Sequence, residues 1–219
     1  MRIISGLAAS ALALCGCSYS SHGPAENRSV EREGMVATGD VDATGSAEYA
    51  GMIVASGGDI GRNLDLAGAS VTSSARVGGN LSAAGARVRF TGTVAGNTEI
   101  EAATAYLGGR YDGNLTAMGA RIVIEGDVGG RLLAHGAHIR LAGRFAEPVQ
   151  VIGEGNRTSG RAIISGELAA GGQVCASRVE IRDSARISGN LTVIADERPN
   201  ASATNVTYVD LAGRDCDRI

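Results

Sequence analysis

The chain has no tryptophan, only two phenylalanines and five tyrosines among 219 residues. The large aromatic anchors that dominate most cores, and the stacking platforms that grip sugars or bases, are therefore almost missing. Proline is nearly absent as well, with three residues. There is no basic excess, the formal charge being −3, and this excludes an ordinary nucleic-acid-binding domain. No apolar run reaches the roughly 20 residues that a membrane-spanning helix needs. What the chain has instead is glycine. Its 33 glycines are about twice the usual share, and alanine inflates an apolar content of 44%.

The longest apolar run is at the amino terminus. "MRIISGLAASALALCGCSYSS" opens with one positive charge and continues with apolar residues from Ile3 to Leu14, the layout of a cleavable secretory signal. Its end, Leu14-Cys15-Gly16-Cys17, resembles the lipobox of bacterial lipoproteins. That resemblance makes residues 1–16 a signal peptide and Cys17 the lipidated first residue of the mature chain. Cys15 is the competitor, but Leu14 before it is too large for a place that takes a small residue. Ser18 at the second mature position resembles lipoproteins sent to the outer membrane, facing the periplasm. A plain signal peptide with Cys17 an ordinary thiol is the alternative. The polar stretch that follows suits a flexible tether over residues 17–37.

Self-comparison reveals a repeat of seventeen residues. Residues 63–79 read NLDLAGASVTSSARVGG, residues 80–96 NLSAAGARVRFTGTVAG and residues 114–130 NLTAMGARIVIEGDVGG. Apolar places fall six, six and five apart, as in Ile122, Val128 and Ala134. This spacing predicts an all-β fold, a single-stranded β-helix (β-solenoid) of triangular cross-section. Each coil has three short strands, each sending an inward residue to a narrow axis. Glycines such as Gly119, Gly126, Gly136 and Gly143 mark the corners. Nine or ten coils at about 4.8 Å each make a rod on the order of 45 Å long. The expected boundaries are 38–195 for the β-helix and 196–219 for an irregular carboxy-terminal segment with a last partial coil and cap. The surplus "GEGNRTSG" at 153–160 is expected to protrude from a corner.

Isolated coils cannot bury their apolar places, so stacking supplies the core, and the rod ends become sheet edges that polymerise unless capped. The recurring Gly79-Asn80-Leu81, Gly85-Ala86-Arg87-Val88 and Gly126-Asp127-Val128-Gly129-Gly130 elements resemble those of the bactofilins, polymer-forming scaffold proteins of bacteria. The resemblance implies a right-handed β-helix, end-to-end assembly without nucleotide and a role in positioning envelope machinery. Bactofilins are typically cytoplasmic, unlike a chain with an export signal.

Candidate sites are few. Cys175 and Cys216 remain after export, and an oxidising compartment permits them to pair, pinning the tail over the rod; two separate thiols are the alternative. Arg87, Arg121, Arg161 and Arg178 take one place in successive or near-successive coils, with His138 between. Arg89 and Arg140 lie two residues on, on the same face. This stripe could meet anionic envelope polymer, or simply keep an exposed face soluble. Glu48, Asp65, Glu99 and Glu101 favour another face. His135 and His138 are three apart and lack a third ligand, so no metal and no cofactor are expected. The Asn-x-Ser/Thr triplets at Asn80, Asn114, Asn190 and Asn205 count for nothing in a bacterial host.

The sequence thus points to a non-enzymatic envelope lipoprotein acting as a scaffold or adaptor. Its expected partners are the membrane, through its lipid anchor, and further copies of itself, end to end. A binding module for anionic polymer is the alternative. A hexapeptide-repeat acyltransferase is disfavoured by a period of seventeen rather than eighteen.

Overall fold

A computed structural model describes residues 29–153, 160–200, 205–212 and 216. The chain forms a β-solenoid of about ten turns, with strands stacked in parallel seventeen residues apart and almost no helix. The register is uniform: Leu64 pairs with Leu81, Leu81 with Thr98, Thr98 with Leu115 and Leu115 with Leu132. Backbone hydrogen bonds of a strand therefore run to the neighbouring coils rather than within its own. Stacking is what makes the fold possible.

Three faces make up each coil. One coil's first and second faces lie on Leu115–Met118 and Arg121–Ile124, and its third on the two-residue strand Asp127–Val128. Inward residues come in pairs on the first two faces: Leu115 with Ala117, then Ile122 with Ile124, and finally Val128 alone. Two inward residues per long face, rather than the expected single one, follow from strands of four residues under period-two alternation. The resulting core runs the length of the rod with no break between coils.

In the first coils the first two faces are not separate strands. Ala47–Gly57, Leu64–Ser73, Leu81–Phe90 and Thr98–Leu107 each continue through the corner. Within Leu64–Ser73 the buried residues are Leu64, Leu66, Val71 and Ser73, so the alternation slips by one at Gly68-Ala69. The corner bends the strand while its bonds to neighbouring coils persist.

Crowding from the coil below, rather than backbone strain, explains most corner glycines. At Gly143 and Gly136, both without a left-handed φ, a Cβ would collide with the carbonyl oxygens of Gly126 and Gly119. Stacked glycine corners let the coils approach this closely.

The solenoid begins earlier than residue 38. Val30–Asp40 is a strand in register with the next coil, from Val30 opposite Ala47 to Asp40 opposite Gly57. Residues 30–37 are thus the first coil and not tether. At the other end Val206–Asp210 is a regular strand on Leu191–Ala195, the expected last partial coil. The insertion between Gly153 and Arg161 leaves the register intact, since His138 still pairs with Arg161. Residues 154–159 lie outside the described residues.

Candidate functional site

Strand register turns sequence spacing into columns of side chains along the rod. One second-face column reads, coil by coil, Ser70, Arg87, Thr104, Arg121, His138, Arg161 and Arg178. The neighbouring column on the same face includes Thr72, Arg89, Tyr106, Val123, Arg140 and Ile163, and then Glu180. All six sequence-predicted arginines therefore stand on one face, and all are exposed. The chain contains no lysine, so every side-chain cation apart from histidine is a guanidinium, whose planar fork suits carboxylate and phosphate oxygens.

The stripe is not uniform. Arg161 bonds Glu180 at 2.7 Å and Arg178 reaches Glu197 at 3.5 Å, while Arg182 also holds Glu180 at 2.6 Å. The Arg161 hydrogen bond, reinforced by the neighbouring arginines, keeps the Glu180 carboxyl below its ordinary range. The carboxy-terminal half of the stripe is thus neutralised by its own glutamates. In the other half, Arg89 lies over the Tyr106 ring, 4.5 Å from its centre, a cation–π contact. The Tyr106 hydroxyl donates to the Glu125 carboxylate, and this bond raises its pKa. Arg87, Arg121 and Arg140 have no ion pair among the described residues.

Acidic residues hold the first face. Glu31, Glu48 and Asp65 stack directly upon one another, followed by Ser82 and Glu99. Glu101 lies two residues on from Glu99. His135 and His138 sit on different faces across the Gly136 corner, opposite Ile152 and Arg161 respectively. Among the described residues, no group of three His, Cys, Asp or Glu side chains could hold a metal ion.

Cys175 and Cys216 are joined by a disulfide, with their Cα atoms 5.6 Å apart. Cys175 points outward, as its place beside the inward Val174 requires, yet it is buried. The tail explains the burial, because Cys175, Ile194 and Leu211 form a small apolar cluster outside the main core, against which Cys216 packs. The bridge fastens Cys216 to the flank of the last coils. Cys17 lies outside the described residues.

Three features escaped the sequence reading. At one corner the Asn63, Asn80, Asn97 and Asn114 side chains form a ladder, each accepting from the backbone N–H one coil on, at 2.9–3.1 Å. Asn80 and Asn114 therefore serve the fold. Along the third face a column of mostly alternating charge includes Asp59, Arg76, Arg110, Asp127, Arg144, Glu167 and Arg186. Arg76 pairs with Asp59 and Arg144 with Asp127, both at 2.9 Å. Arg144's hydrogen bonds hold the Asp127 carboxyl below its usual range. Reading the residue after each third-face corner down the repeat would have exposed this alternation.

The third feature closes the ends. Arg32 occupies an inward place, in the column that continues with Tyr49 and Leu66. Its Nη1 donates to the Thr38 carbonyl oxygen at 2.6 Å, and the Tyr49 hydroxyl donates to Gly39 at 3.4 Å. At the far end of the same column, Tyr208 follows Val193 and donates to the Ala195 carbonyl at 3.1 Å. Polar-tipped side chains thus lie across both ends of the core, a device that discourages edge-to-edge association.

No family model, no curated protein and no solved structure matches this chain.

Proposed function

We propose that this protein is a non-enzymatic lipoprotein of the bacterial cell envelope, held by a lipid on Cys17 at the periplasmic side of the outer membrane. There it acts as a scaffold or adaptor through the sides of its rod. The observation that carries this reading is the sorting of charge by face. Stacked register sets an acidic column from Glu31 to Glu99 on one side and a guanidinium stripe from Arg87 onward on another. A rod that offers extended, differently charged sides is suited to holding partners in place. The lipobox supplies the address.

Bactofilin-like assembly would add end-to-end polymers to this account. Arg32 and Tyr208 speak for single rods instead, because stacking a second copy on either end would bury a charged or hydroxylated side chain. Labelled palmitate, supplied to a lipoprotein-competent bacterium making the protein, tests the anchor. Label on the wild-type chain and none on a Cys17→Ser variant supports it; an unlabelled, soluble wild-type chain overturns it.

A second reading, a module for anionic envelope polymer, is favoured by the exposed Arg87, Arg121 and Arg140. Glu180 and Glu197 restrict it to the amino-terminal half of the stripe. Salt-sensitive retention on purified polymer is its signature.

A further inference from the structure

The arginine column does not begin with arginine. One coil before Ser70 stands Ile53, and one before that Val36. Both are exposed, at 52% and 58%, as are their chain neighbours Met52 at 60% and Met35 at 74%. In later coils the methionine place is taken by Ala69, Ala86, Ala103, Ala120 and Ala137, so the coil geometry does not require a large side chain there. Four large apolar groups gathered on one corner of two adjacent coils mark a contact surface.

Three observations identify what it contacts. The patch shares its edge with Arg87, roughly 10 Å beyond Ile53, and with Arg121, roughly 20 Å beyond. Apolar groups followed by unpaired guanidinium groups match the acyl boundary and the phosphates of an anionic bilayer. A soluble polyanion would have no use for the methionines. The patch also lies on the first two coils, and only twelve residues stand between Cys17 and Val30 in the sequence, so it is near the expected anchor along the chain. This last point rests on the lipid-anchor reading. Finally, the stacked carboxylates Glu31, Glu48 and Asp65 occupy the other face, which an anionic surface repels.

We infer that the rod makes a second, non-covalent membrane contact: the Met35, Val36, Met52 and Ile53 corner enters the headgroup region while Arg87, Arg89, Arg121 and Arg140 face lipid phosphates. The rod then lies along the bilayer on its second face, with the acidic face turned away.

The test uses the mature chain from residue 17 with Cys17→Ser, which retains every strand and cannot take the lipid. Flotation is measured with vesicles of phosphatidylcholine alone and of phosphatidylcholine with phosphatidylglycerol. The expected result is binding to the anionic vesicles, weakened by salt. Combined Met35→Ser, Met52→Ser and Ile53→Ser changes should lower it by roughly tenfold or more. Arg87→Gln with Arg121→Gln should lower it roughly thirtyfold, at about 1 kcal/mol for each arginine. Unchanged circular dichroism and thermal unfolding establish that these surface variants fold.

Absence of flotation, or flotation indifferent to both sets of changes, overturns the inference. So does a serine variant that alters only the sedimenting mass, since the corner would then join two copies. Palmitate labelling of the wild-type chain separates the two claims. Labelling without flotation of the Cys17→Ser chain removes the docking surface and leaves the anchor; flotation without labelling keeps the docking surface and removes the anchor.

Discussion

Arg32 and Thr38 meet across the first described coil, the guanidinium donating to the carbonyl oxygen at 2.6 Å. Arg32 stands at an inward place beside the fully buried Tyr49, where every other coil up to Tyr208 carries an apolar or aromatic residue. A charge in that position is tolerable only at a rod end. Replacing it with Arg32→Leu should leave an apolar surface over Tyr49. The expected outcome is a monomer for the wild-type chain and concentration-dependent association for the variant, read by sedimentation velocity. Identical sedimentation would mean that Arg32 does not guard the end.

The Cys175 and Cys216 bridge closes a loop spanning 41 residues, and on chain-entropy grounds its removal costs about 4 kcal/mol at most. The effect should be local, because Ile194 and Leu211 belong to a cluster separate from the main core. Cys175→Ser, or reduction, is expected to release amide protection in Leu191–Ala195 and Val206–Asp210 while Leu81–Phe90 stays protected. Hydrogen exchange read by mass spectrometry distinguishes this from uniform loss.

At Gly143 a methyl group would meet the Gly126 carbonyl. Gly143→Ala should therefore destabilise by about 2 kcal/mol or more, whereas Ala120→Ser, on an exposed corner, should change thermal unfolding very little. Equal effects would show that the coils are not held at the spacing described.

The Tyr111 hydroxyl is buried in the core and has no hydrogen-bond partner among the described residues. Burial pushes its pKa far above the ordinary tyrosine value. A group that resists ionisation when folded contributes stability below its unfolded pKa near 10 and loses it as pH rises. Tyr111→Phe should accordingly raise stability by roughly 1 kcal/mol at neutral pH and flatten the loss above pH 10. Denaturant unfolding at pH 7 and pH 11 measures both.

The repeat was legible because the inward places of each coil must be apolar or small, so Val88, Ile122 and Ile139 recur whatever the surface does. The first coil was not legible, for a physical reason: Arg32 faces inward at the end of the rod and Glu31 and Glu33 face outward, so Val30–Asp40 lacks the pattern that marks a buried strand. Cys175 was readable as an outward residue. That the tail would fold back with Leu211 to bury it depended on packing no periodicity encodes. The arginine column was readable from spacing, but its neutralisation by Glu180 and Glu197 arises from coils with longer steps, where simple counting by seventeen fails. Val36 stands in the arginine column inside Val30–Asp40, the strand that lacks this pattern, whereas Ile53 lies within the expected β-helix and its outward place is fixed by its pairing with Ser70.

The central claim is a rod that works singly and by its sides. Electron microscopy of the purified mature protein, with and without reductant, tests it most directly. The account predicts separate rods on the order of 45 Å long in both conditions, with reduction loosening only the tail at the last coils. Filaments formed by the wild-type chain in either condition would contradict it.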